Sequence, residues 1–170
     1  MFRFLVLDVD GTLTDGKMYY SSSGDSIKAF SVKDGHAIAD ILPLLKIEPV
    51  IISGGNCPAV VRRAADLGIK KVHLGIKDKL TCLNNILDDE NASLSEVVYI
   101  GDDLNDLECM QAILKAQGLI ACPADAVNEV KDLCSFVSSR NGGDGAVREL
   151  VDWLRYSNNQ KQLVFNFSNH

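Results

Sequence analysis

Phe4-Leu5-Val6-Leu7-Asp8-Val9-Asp10-Gly11-Thr12-Leu13-Thr14-Asp15-Gly16 sets the fold. The apolar run over 4–9, rich in branched side chains and ending at a polar turn, predicts a strand buried on both faces. Alternation along it puts the Asp8 and Asp10 side chains on one side of the chain. Two carboxylates this close repel unless a cation or a proton lies between them. A single acid would suffice to cap a turn, so the pair points to a metal site. A calcium loop starting at Asp8 would need Gly at its sixth place and Glu at its twelfth, where this chain has Leu13 and Tyr19. Magnesium, which is held by few carboxylates and shares its shell with water and phosphate oxygens, fits better.

The same grammar recurs outward from this stretch. Apolar runs over 50–52 and 97–100 end at Ser53-Gly54-Gly55 and at Gly101-Asp102-Asp103-Leu104-Asn105-Asp106, with shorter candidates over 71–74 and 119–122. Segments 37–45, 58–67, 79–87 and 104–116 carry apolar residues at helical spacing, and Gly68 and Gly118 stand where helices stop. Strand and helix alternate, which predicts an α/β fold: a Rossmann-like three-layer sandwich with a central parallel sheet, helices on both faces and ligands beyond the strands' carboxyl ends. Two strand-like runs around Ser21-Ser22-Ser23-Gly24-Asp25 break the alternation and predict a small β-hairpin flap over about 17–30, too small to be a cap domain. With 170 residues the expectation is a single domain over 1–156, followed by a polar tail over 157–170.

Composition narrows the function. Apolar residues make up 46% and charged residues 24%, as in globular proteins. The net charge is -6 with no Lys/Arg tract longer than two residues, so no nucleic-acid partner is expected and an anionic ligand needs local positive charge or a metal. Cys57, Cys82, Cys109, Cys122 and Cys134 are odd in number and widely spaced, which suits reduced thiols in a cytoplasmic protein. Asp8 interrupts the opening apolar run before a signal peptide or span is complete, so no membrane association is expected.

Asp102, Asp103 and Asp106 exceed what a helix terminus requires and are tolerable around a hard cation. Ser53 offers a hydroxyl, and Gly54 and Gly55 offer backbone amides, the groups that hold phosphate oxygens. Lys79, after Lys77 and Asp78, opens a helix and taken alone reads as a solvated lysine.

In order, D-x-D-G-T at 8–12, a strand ending in Ser53, the lone Lys79 and G-D-D-x-x-D at 101–106 resemble the four motifs of the haloacid dehalogenase superfamily. The resemblance implies Asp8 as the nucleophile and Asp10 as acid, then base. It implies Mg2+ held by Asp8, the Asp10 backbone carbonyl and Asp102, with Asp103 or Asp106 as further support. Thr12, Ser53, Gly54 and Lys79 would then hold the phosphoryl oxygens.

The hairpin, Phe30-Ser31-Val32-Lys33-Asp34-Gly35 and Gly142-Gly143-Asp144-Gly145-Ala146-Val147-Arg148-Glu149 resemble more narrowly the capless 3-deoxy-D-manno-octulosonate 8-phosphate phosphatases. That resemblance implies a small anionic sugar phosphate as substrate. It also implies a homotetramer in which a neighbouring subunit covers each site, with Arg63, Lys33, Arg140 and Arg148 as candidates for the sugar carboxylate. The alternatives are a nonulosonate 9-phosphate phosphatase and a catalytically idle tetramerising module. Gly55 fits neither substrate pattern, since the nine-carbon relatives carry Glu there and octulosonate phosphatases commonly Arg.

Overall fold

The structure, a computed structural model, describes residues 1–167, with side chains as far as Ser157. Strand β1 (Phe4–Leu7) runs between two parallel neighbours, which is why its residues are apolar on both faces. The hairpin β2 (Tyr19–Tyr20) and β3 (Ser26–Ile27) follows as a separate two-stranded ribbon, shorter than its expected span of 17–30. Within the chain it alone occupies the connection from β1 to the first helix.

Helix α1 (Val32–His36) continues through a π-helical turn (Ala37–Ile41) into α2 (Leu42–Leu45). The helical region therefore begins five residues earlier than apolar spacing predicts. Ser31 caps it by accepting from the Asp34 amide at 3.3 Å, and Gly35 is tolerated inside it because the Arg63 guanidinium occupies the space a Cβ would need.

Strand β4 (Glu48–Ile52) leads to α3 (Pro58–Asp66), β5 (Lys71–His73) and α4 (Lys79–Asp89). Pro49 falls at the start of β4, before the ladder to β5 begins at Val50, where a missing N–H is tolerated. Then come β6 (Val97–Ile100), α5 (Leu107–Lys115), β7 (Leu119–Cys122), α6 (Asn128–Lys131), β8 (Phe136–Val137) and α7 (Ala146–Phe167). The backbone of α7 carries on through Tyr156, so it does not break at the expected start of the tail. The side chains of the expected polar tail beyond Ser157 lie outside the described residues.

The six-stranded sheet has the order β5-β4-β1-β6-β7-β8, parallel throughout. Alternate residues feed two cores. Leu5 and Leu7 meet α2, α3 and α7 on one face, while Phe4 and Val6 meet α4, α5 and α6 on the other, giving three layers. The chain winds outward from β1 to β4 and β5, then returns to β6 on the far side of β1. Such a reversal opens a crevice at the carboxyl ends of the strands beside it, and there the loops after β1, β4 and β6 converge.

Candidate active site

The loop after β1 closes tightly on itself. The amides of Thr12, Leu13 and Thr14 all donate to the Val9 carbonyl, at 3.2, 2.9 and 3.0 Å, while the Asp8 amide donates to Ile100 of β6 at 3.1 Å. Gly11 has φ +92°, and a Cβ there would overlap the Asp102 carboxylate, so glycine is required on both counts. The fully buried Thr12 hydroxyl donates to Asp102 Oδ1 at 3.3 Å, joining the loops after β1 and β6.

Lys79, at the first turn of α4, reaches into this crevice instead of solvent; its side chain is 2% exposed. Its ammonium donates to Asp8 Oδ1 and to Asp106 Oδ1, each at 2.7 Å. Asp106 is saturated: Oδ1 also accepts from the Tyr99 hydroxyl at 2.7 Å, and Oδ2 accepts from the amides of Asp102 at 3.0 Å and Asp103 at 3.4 Å. It thus organises Lys79 and the 101–106 turn. Asp103 is exposed and caps the following turn, accepting from the Leu104 amide at 2.7 Å. Ser53, buried at the end of β4, accepts from the Gly55 amide at 3.2 Å.

Burial first, then the charge of Asp106, push Asp8 up to about 6 against the opposing pull of Lys79. Burial, then Asp8 and Asp106, push Asp102 up to about 8. For Lys79 burial acts downward, but the charges and hydrogen bonds of Asp8 and Asp106 outweigh it and hold the ammonium above its ordinary value. When all three acids are ionised, one ammonium faces three carboxylates.

A divalent cation suits that imbalance. Asp8, Asp102 and Asp106 each bring an oxygen within 4.8 Å of the others. Because Asp106 already has four donors, Asp8 and Asp102 are the carboxylates left to bind a hard ion, and an all-oxygen donor set suits magnesium.

The cationic candidates do not gather at this centre. The Arg63 guanidinium donates to the Ser31 carbonyl at 3.2 Å and lies 5.9 Å from the Phe30 ring centroid, bracing the start of α1. Arg148 Nε donates to Asp152 at 2.7 Å along α7. Lys33 and Arg140 are exposed and flank Gly145.

Three contributors escaped the sequence reading. Tyr99 is fully buried directly behind the crevice; a hydroxyl inside an apolar strand two residues before Gly101-Asp102 was the available signal. Asp34 is buried and accepts from the amides of Arg148 at 2.8 Å and Gly145 at 3.3 Å, fastening the start of α7. Lys28, just after β3, forms an ion pair with Asp10, and nothing in the hairpin's composition marks it out.

A buried Asp directly after β1, a buried lysine and an acidic turn after β6 are the arrangement of a haloacid dehalogenase-like hydrolase, and residues 71–150 match the model of that family. The 3-deoxy-D-manno-octulosonate 8-phosphate phosphatases of Haemophilus influenzae and Escherichia coli K12 are each 38% identical over 152 residues. That alignment covers 89% of this chain and 82% and 78% of theirs. This chain belongs to the 3-deoxy-D-manno-octulosonate 8-phosphate phosphatase family. The Moraxella catarrhalis phosphatase of that name, crystallised with magnesium, phosphate and a KDO molecule, superposes with TM-score 0.86 at 33% identity, covering 98% of this chain and 93% of its own. The cobalt-bound Haemophilus influenzae enzyme gives TM-score 0.81 at 38% identity, covering 89% of this chain and 86% of its own.

Proposed function

We propose that this chain is a magnesium-dependent phosphatase that releases phosphate from 3-deoxy-D-manno-octulosonate 8-phosphate through an aspartyl-phosphate on Asp8. The observation that carries the reading is the buried Asp8 carboxylate at the end of the central strand, hydrogen-bonded to Lys79 and facing Asp102. The substrate assignment draws on the relatives' activity and on the Moraxella complex.

Asp8 attacks phosphorus in line, while Asp10, two residues on, gives a proton to the departing sugar oxygen and then takes one from the attacking water. Lys79 holds Asp8 in place and, with Thr12, Ser53 and the Gly54 amide, meets the phosphoryl oxygens as charge spreads over them. Asp8, the Asp10 carbonyl and Asp102 would hold magnesium, which when bound offsets repulsion between the nucleophile and the phosphate. Asp106 and Tyr99 act behind this layer by fixing Lys79.

For the sugar carboxylate, Lys33 and Arg140 are the readier cations, because Arg63 and Arg148 would first have to leave their present partners. Exposed Met18, Tyr20 and Ile27 on the hairpin suit packing between copies, in keeping with a homotetramer of cytoplasmic enzyme. No helix among the described residues is long and apolar enough to cross a membrane.

Purified Asp8→Asn should fold and show no turnover; activity near wild type would refute the mechanism. Phosphate release from octulosonate 8-phosphate should exceed that from nonulosonate 9-phosphates, and the reverse order would reassign the substrate.

A further inference from the structure

Beside Asp10 lies a cleft of about 510 Å³, walled on one side by the hairpin (Met18, Tyr20, Lys28) and on the other by Gly55, Asn56 and Pro58. Among the described residues, Lys28 is the one Lys or Arg lining it. While Ile27 beside it points to solvent, Lys28 is turned inward: its side chain is 7% exposed and its ammonium donates to Asp10 Oδ1. Exposed ion pairs contribute little because salt and side-chain entropy dissolve them. A lysine stem buried to this extent is instead held in one geometry, and its head fixes what it binds.

Asp10 has no other side-chain partner among the described residues. Its carboxyl is 41% exposed. On the side of Oδ2, the nearest wall is Gly55, whose Cβ, if it had one, would stand 3.1 Å away. No side chain at 55 steers the acid, so its aim depends on the hairpin.

We propose that Lys28 is a positioning residue that holds the Asp10 carboxyl in line with the departing oxygen, so that the seating of the hairpin sets the efficiency of leaving-group protonation. This rests on the reading of Asp10 as the general acid. Misplacing a reacting group by about 1 Å can cost on the order of 10²-fold, and a general acid contributes about 10²- to 10⁴-fold. The defect must grow as the leaving group becomes poorer, because a poor leaving group depends more on its proton.

The test uses magnesium-loaded full-length protein in excess over phenyl phosphate or 4-nitrophenyl phosphate, at an enzyme concentration that saturates the observed rate, following single-turnover release of each phenol. In Lys28→Met, phenol release should fall about tenfold or more and 4-nitrophenol release by clearly less. Lys28→Arg, which keeps the charge, should recover most of the loss. Should Lys28→Met fail to fold by circular dichroism, Lys28→Gln is measured on the same two esters with the same expectation. Equal losses on both esters, or no loss on phenyl phosphate, would overturn the proposal. Absence of turnover by the wild type on both esters and on octulosonate 8-phosphate would instead overturn the phosphatase reading beneath it.

Discussion

Lys79→Met removes the single ammonium from between two carboxylates at 2.7 Å each, in a place where the lysine is 2% and Asp8 6% exposed. The substitution keeps most of the apolar volume of the stem, so the change is electrostatic. Stripping one partner from a buried ion pair costs about 3–5 kcal/mol, because the remaining charge is left uncompensated. At roughly 2–4 °C per kcal/mol for chains of this size, the melting temperature of metal-free protein should fall by about 6 to 20 °C. The loss should depend on pH. Asp8 and Asp102 are already held at about 6 and about 8, and without Lys79 their protonated forms gain further. The folded variant then binds more protons than the unfolded chain over a wider range, so its stability falls more steeply as pH rises. Urea unfolding of both proteins at about pH 5 and about pH 8.5 should show the gap widening with pH. A gap under about 1 kcal/mol at the higher pH, or one that does not shrink in acid, would refute the account of the site as carboxylates balanced on one cation.

Magnesium should stabilise the protein more as pH rises. With folded-state values raised from 3.8 to about 6 and about 8, the metal-free protein loses stability as pH climbs from about 4 to about 8, and the ion binds the carboxylates that lose their protons. Thermal shifts with and without magnesium across that range would check this, and a chelator should abolish turnover. Asp34→Ala orphans two amides at the start of α7 and should cost about 2–4 kcal/mol by urea unfolding, with Asp34→Asn costing less because it keeps an acceptor. At Gly142 a Cβ would overlap the Gly11 carbonyl. Gly142→Ala should therefore displace the nucleophile loop and lower kcat by on the order of 10²-fold, as phosphate-release kinetics would record.

Much of the fold could be read because β1, β6 and the last three residues of β4 are continuously apolar and stop at a small or acidic residue: Leu7 before Asp8, Ile52 before Ser53, Ile100 before Gly101. Helical periodicity located α3, α4 and α5 for the same reason. The start of α1 was hidden because Lys33-Asp34-Gly35 is polar and includes a glycine; Ser31 caps it, and Gly35 leaves room for Arg63, far away in sequence. Strand β8 is two residues long and gains its identity by pairing with β7. At the site, Asp8 and Asp102 could be read because clustered acids at strand ends demand a cation. Lys28 and Tyr99 could not, since their roles come from what the fold sets opposite them. For the arginines, nothing in the sequence hinted at their present partners: Arg63 donates to the Ser31 carbonyl and Arg148 to Asp152.

The glycine turn ahead of α7 leans on the loop that follows Asp8: Gly143 donates to the Thr12 carbonyl at 3.0 Å, and Gly142 abuts Gly11. The residues that aim Asp8 are thus supplied from the opposite end of the domain, more than a hundred positions downstream. Contacts so distant along the chain must wait until both segments exist, and pairing of this kind slows folding. During synthesis the first strand can leave the ribosome and collapse early, yet its catalytic loop lacks its final buttress until the segment after β8 has emerged. A nascent or truncated chain ending before that turn would hold the chemistry's ingredients without their alignment, so activity itself reports completion of the fold.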